Sequence, residues 1–116
     1  MPVLKIQYDE KLHATVQAHR SQIQIDLEAV LTDTLAADPA KCQIIMQSSL
    51  LCSPMPVYVD LQFRANDYRT REVVAGATQS IKQVLQQYLN AGIRIRAFDI
   101  DPAVLHALDV EKPADS

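Results

Sequence analysis

Pro2-Val3-Leu4-Lys5-Ile6-Gln7 is echoed 54 positions later by Pro56-Val57-Tyr58-Val59-Asp60-Leu61-Gln62, and each copy leads into a helical stretch and then a second strand-like run. The 116-residue chain therefore reads as one domain made of two β-α-β units, residues 2–49 and 56–100, with a tail over 102–116. In the second copy Val57, Val59, Leu61 and Phe63 alternate with Tyr58, Asp60, Gln62 and Arg64, the period of two that marks a strand with one dry and one wetter face. The first copy alternates Leu4, Ile6 and Tyr8 against Val3, Lys5 and Gln7 in the same way.

Between His13 and Ala37 the apolar positions Val16, Ile23, Leu27, Val30, Leu31 and Leu35 follow a period near 3.6, most cleanly from Ser21, which is the expected N-cap of a first helix. Asp38-Pro39 stops that helix, and Cys42 to Gln47 is an apolar run of strand length. Ser53-Pro54-Met55-Pro56 is a tight linker between the units. From Thr70 to Leu89, Val73, Val74, Ala77, Ile81, Val84, Leu85, Tyr88 and Leu89 line one side of a second helix that Asn90-Ala91-Gly92 ends. Ile93–Ile100 is the fourth strand, and the tail is expected to pack briefly around Val104, Leu105 and Leu108 before becoming disordered.

A parallel strand pair joined through a helix needs a right-handed crossover, so two such units place both helices on one face of a four-stranded mixed sheet. The fold class is accordingly α/β (α+β). The opposite face would carry Tyr58, Asp60 and Gln62 beside apolar residues, too mixed for free surface over its whole extent, and oligomerisation through it is expected. Arg94 and Arg96 share one face of the last strand; pointing inward they would need partners such as Asp60, so an ion pair at a subunit interface is expected.

A formal charge of −3 with 11 scattered Lys and Arg leaves no basic face for phosphate backbones, so nucleic-acid binding is not expected. No apolar run approaches the ~20 residues of a membrane span, and the start of the chain lacks a signal-peptide pattern; a cytosolic protein is expected. Cys42 and Cys52 form no CxxC, and His13, His19 and His106 have no metal-ligand spacing, so reduced packing cysteines, surface histidines and neither metal nor cofactor are expected. Tyr8, Tyr58 and Phe98 read as core aromatics rather than pocket walls.

Met1 followed by Pro2 at the head of the first strand, the β-α-β duplication and the chain length together resemble the tautomerase superfamily, which includes 4-oxalocrotonate tautomerase and macrophage migration inhibitory factor. The likeness covers residues 2 to 100. Within the superfamily the second half looks most like 5-carboxymethyl-2-hydroxymuconate isomerase, through an apolar strand, a polar turn, and Arg71-Glu72-Val73-Val74-Ala75-Gly76 opening a helix. The resemblance implies a homotrimer with active sites near subunit boundaries around each N-terminal proline. It also implies cofactor-independent keto-enol chemistry on an unsaturated 2-hydroxy or 2-oxo carboxylic acid of the hydroxymuconate type.

In that chemistry Pro2, freed by loss of Met1, is the general base. An α-amino group titrates at about 7.7–8.0 in model peptides, and burial disfavours its charged form, so an apolar pocket would leave it neutral and ready. Cationic side chains would hold the substrate carboxylates. Lys41 falls where the muconate isomerases have an arginine, and Arg69 and Arg71 flank the entrance to the second helix; these three are the candidate substrate-binding residues. The family's Gly-Arg-Ser at that turn is replaced by Asn66-Asp67-Tyr68, with Arg69 two positions beyond the missing arginine. If Met1 is retained, the Pro2 nitrogen is an amide without basicity, and the chain would be a non-catalytic trimeric interaction protein of the same fold. Dehalogenation or decarboxylation on the same proline would need a water-activating group, which the sequence does not nominate.

Overall fold

The computed structural model describes residues 2–51 and 54–112. Four strands, β1 (Val3–Asp9), β2 (Gln43–Ser49), β3 (Val57–Arg64) and β4 (Ile93–Ile100), form one mixed sheet in the order β2-β1-β3-β4. The two helices are α1 (His13–Leu35) and α2 (Arg71–Tyr88). β1 pairs parallel with β2, β3 pairs parallel with β4, and the two units join where β1 meets β3 antiparallel, with Leu4 opposite Leu61 and Ile6 opposite Val59.

The alternation read from the sequence is the alternation that packs. Leu4, Ile6 and Tyr8 of β1 and Val57, Val59, Leu61 and Phe63 of β3 are buried beneath Ile23, Leu27, Leu31 and Leu35 of α1 and Ala77, Ile81 and Leu85 of α2. Burial of each large aliphatic contributes about 1.5–3 kcal/mol, which makes the two central strands the mechanical centre of the molecule. The inward residues of the edge strands, such as Ile44, Met46, Ile93 and Ile95, are only half-buried, because two helices cover the middle of a four-stranded sheet better than its margins.

Ser21 is not the cap of α1. The helix begins eight residues earlier at His13, after a 3-10 turn over Glu10–Leu12 whose cap is Asp9, accepting from the Lys11 N–H at 3.1 Å. Only Val16 is buried between His13 and Gln22, so this first part of the helix lies over solvent and carries no apolar stripe. At the other end Ala36 takes a left-handed conformation (φ 52, ψ 40), and its N–H bonds the Leu31 carbonyl. Asp38-Pro39 does not stop the helix but opens a 3-10 turn, Pro39–Lys41, that delivers the chain to β2. α2 has Thr70 as its cap, the hydroxyl accepting from the Val73 N–H at 3.3 Å.

After β4 a 3-10 turn over Pro102–Val104 is followed by exposed chain, with Val104, Leu108 and Val110 at 78, 80 and 88% exposure; of the three apolar residues expected to pack, Leu105 is the most covered, at 36% exposure, and none joins the buried core. No helix of the described residues is long and apolar enough to cross a membrane. Met1, Cys52, Ser53 and residues 113–116, with the expectations that fall on them, lie outside the described residues.

Candidate active site

Pro2 is buried at the entrance to β1, with its carbonyl accepting the Gln43 N–H at 3.0 Å. The strand registers fix its neighbours. Val3 lies opposite Gln43 on one side and Gln62 on the other, so one step back sets Pro2 between Cys42, leading into β2, and Phe63, near the end of β3. This end of the sheet is also where α1 runs into β2 and β3 runs into α2. Pro2 thus stands where both loops that carry the candidate cations converge.

Those cations separate into two hollows. Beyond Phe63, Arg69 and Arg71 line a cavity of about 430 Å³ together with Val74 and Asp99. On the Cys42 side, Lys41 lines a second hollow of about 510 Å³ with Ala40, Cys42, Gln43, Asp109 and Glu111.

Arg69 and Arg71 differ in what they hold. The Arg69 guanidinium lies over the Phe63 ring, 5.8 Å from its centroid, while Nε donates to the Leu35 carbonyl at 3.1 Å and Nη1 donates to the Arg64 carbonyl at 2.9 Å. It therefore satisfies a carbonyl at the C-terminus of α1, where the helix dipole favours a cation, and ties that helix end to the end of β3. Arg71, the first residue of α2, is exposed beside it, and near a capped helix N-terminus an anion is favoured. Asn66 makes the turn before α2, with its side-chain oxygen accepting the Arg69 N–H at 2.9 Å, while Asp67 and Tyr68 are exposed. Asp67, the acid at the position of the family's arginine, lines neither hollow.

Cys42 is half-buried, its thiol donating to the Asp38 carbonyl at 3.4 Å. Burial pushes the thiol pKa up, with Glu28 and Asp38 adding to the effect and nearby positive charge, Arg69 included, opposing it, so the neutral thiol is favoured over the thiolate. Asp99 was missed by the sequence reading, although strand parity held the clue: it alternates out of phase with Arg94, Arg96 and Phe98, and lies opposite Phe63 in the parallel register. Asp109 and Glu111 carried no such signal, since their position depends on the path of the chain after β4.

Tyr8 is core, its hydroxyl hydrogen-bonded to His13 Nδ1 at 2.9 Å, whereas Tyr58 is half-buried and Phe98 47% exposed on the sheet face opposite the helices. Arg96 lies directly across from Asp60 on that face, and Lys5 flanks Asp60 on its other side. His19 is exposed and lies tilted against the Tyr88 ring, 5.2 Å between centroids and 42° between planes, and His106 is exposed. Among the described residues no group of three or more His, Cys, Asp or Glu side chains could hold a metal ion.

By sequence the chain matches no family model and no curated relative. By structure it is similar to a fused 4-OT wild-type symmetric trimer, at TM-score 0.74 and 16% identity over 90% of each chain. It is similar to the macrophage migration inhibitory factor-like protein of Entamoeba histolytica, at TM-score 0.71 and 10% identity over 91% of this chain and 94% of that one. It also resembles FG41 malonate semialdehyde decarboxylase inhibited by 3-bromopropiolate, at TM-score 0.63 and 14% identity over 86% and 84% of the two chains. The fold is the one these structures share, a four-stranded mixed sheet carrying two helices in the arrangement described above. None of the three is a 5-carboxymethyl-2-hydroxymuconate isomerase, and these likenesses do not single out that subfamily, which was expected from the second half of the sequence.

Proposed function

We propose that this chain is a cofactor-independent keto-enol tautomerase in which Pro2, exposed as a secondary amine by removal of Met1, is the general base. Its substrate is an unsaturated 2-hydroxy or 2-oxo carboxylic acid of the hydroxymuconate type. The observation that carries the reading is the place of Pro2: buried at the head of β1, one side chain away from a cavity lined by two arginines. A small, enclosed amine next to a carboxylate seat is the minimum that one-base proton transfer needs.

In the forward direction the amine takes the proton of the enol hydroxyl, the C–O bond becomes a carbonyl, the double bonds shift, and the prolinium returns the proton to a carbon of the conjugated chain. The amine must be neutral to accept that proton. Arg71 pairs with the carboxylate and draws charge away from the dienolate; Arg69 holds Phe63 and the α2 entrance in place. The helix-free sheet face, with Asp60 between Lys5 and Arg96, supports assembly into a homotrimer like that of the fused 4-OT neighbour.

Asp67 at the position of the family's arginine favours a second reading, a non-catalytic trimeric interaction protein of the same fold. Ultraviolet-monitored ketonisation of 2-hydroxymuconate and related dienols separates the two, using protein whose mass shows Met1 removed. The tautomerase reading expects turnover that falls at least about 100-fold in Pro2→Ala, the usual lower bound for loss of a general base. Equal, background-level rates in wild type and Pro2→Ala would leave the interaction protein.

A further inference from the structure

The chain after β4 is tied to both edges of the sheet at the same end. β4 stops at Ile100, opposite Arg64, and the Ile100 carbonyl accepts the Ala65 N–H at 2.8 Å. Further along, Asp109 and Glu111 share a hollow with Lys41, Cys42 and Gln43 at the head of β2. β2 and β4 are opposite edges, and between them lie β1, which Pro2 leads into, and β3, which ends just past Phe63. The parallel outer pairs and the antiparallel centre bring the end of β4, the end of β3, the head of β1 and the head of β2 to one end of the sheet. Residues 101–108 therefore cross the end at which Pro2 stands, a width of about 14 Å that extended chain of this length spans with about 10 Å to spare.

This crossing is shaped but loose. Asp101 caps the 3-10 turn Pro102–Val104, its side chain accepting the Ala103 N–H at 2.9 Å, whereas Leu105 is 36% and Leu108 80% exposed. Lys41 makes no hydrogen bond or ion pair with Asp109 or Glu111, although all three border one hollow. Apolar side chains left in water and opposite charges left apart both gain if the segment moves inward.

We infer that residues 101–112 are a strap that closes across the Pro2 end of the sheet, with Leu105 and Leu108 as its apolar seal and Lys41 as the anchor for Asp109 and Glu111. The inference rests on the reading of Pro2 as the catalytic amine, and it gives Lys41 a role other than the substrate contact expected of it. Apolar contact with the conjugated chain of a bound dienol is what favours the closed form over the open one, and closure shields the reacting carbons from water. Lys41, Asp109 and Glu111 are exposed, so each ion pair shifts the balance by up to about fivefold, less in salt, and the strap reopens readily for product release.

A nitroxide attached through Leu108→Cys, in a Cys42→Ser/Cys52→Ser background, reports the strap's place by the amide signals it removes in magnetic resonance. Loss is expected at Val3, Leu4 and Gln43, while Asp9, Ser49 and Val57, a strand length of about 20 Å away, keep their signals. Muconate, a non-reacting relative of the dienol, should deepen the loss, and adding Asp109→Lys/Glu111→Lys, which sets like charges against Lys41, should restore the signals. Signals retained at Val3 and Gln43, or equal losses at the two ends, overturn the strap. Losses that muconate leaves unchanged, although calorimetry shows it bound, overturn closure on substrate. If muconate does not bind, the hydroxymuconate reading fails separately, and the strap stands or falls on whether the charge reversal restores the signals.

Discussion

At the residue scale the clearest contrast is between Arg69 and Arg71, two positions apart and on the same cavity. Arg69 is fastened to the Leu35 and Arg64 carbonyls and to the Phe63 ring, whereas Arg71 is exposed at the first turn of α2. Arg69→Ala should therefore lower stability by about 2 kcal/mol in urea unfolding, the scale of losing charged hydrogen bonds. Arg71→Ala should leave stability within about 0.5 kcal/mol and raise KM about tenfold, the loss of one carboxylate contact. The sequence showed both arginines at the helix entrance, but the partner that commits Arg69, Leu35, is 34 residues away and belongs to the other unit. Ala36 is a second case. Its left-handed backbone costs an L-residue about 1–2 kcal/mol, and Ala36→Gly should raise the urea midpoint by the equivalent of about 0.5–1 kcal/mol after the entropic cost of glycine. A lower midpoint would mean that the turn does not hold this conformation.

At the scale of elements, strands were read well and the start of α1 was not. Alternation in β3 and its echo in β1 follow directly from a sheet with one covered face, so register and facing were visible in the pattern of Val57, Val59, Leu61 and Phe63. Of the first two turns of α1 only Val16 reaches the core, and a single buried residue gives no periodicity to read; the true start is set by the Asp9 turn and by the absence of Gly or Pro from 13 to 35. The helices are joined on their outer side by Tyr88, whose hydroxyl donates to Asp26 Oδ2 at 2.7 Å. That bond to Asp26 raises the phenol pKa above its ordinary value of 10.0, helped by burial and by the carboxylate's charge. The folded state thus favours the neutral phenol, and the stabilisation is fully present below pH 10 and is lost as the pH rises through the raised folded value. Tyr88→Phe should accordingly lower the melting temperature at pH 7, and the gap from wild type should close above about pH 10. A gap independent of pH would assign the effect to packing alone.

For the whole molecule, the accessible surface of 7585 Å² exceeds the roughly 6,300 Å² expected of a compact monomer of this mass. A trimer formed through the helix-free sheet face predicts a light-scattering mass of about three times 12.9 kDa, and Asp60→Lys, which would align three cations across β1, β3 and β4, should dissociate it. A monomeric wild type at micromolar concentration would contradict this. The expectation of a partner surface comes from the mixed composition of the strands. The division of the cations into two hollows was not legible there, because it depends on how the connections from α1 and β3 and the segment after β4 meet around Pro2.

The central claim is that the Pro2 nitrogen acts as a base, and the most direct measurement compares two forms of the protein that differ only in Met1. Mass-verified protein with and without Met1 should be assayed side by side on the same dienol, because retention converts the amine to an amide without altering any other residue. The account predicts that the Met1-retaining form is at least about 100-fold slower while its circular dichroism and melting are unchanged. Equal rates in the two forms would contradict it.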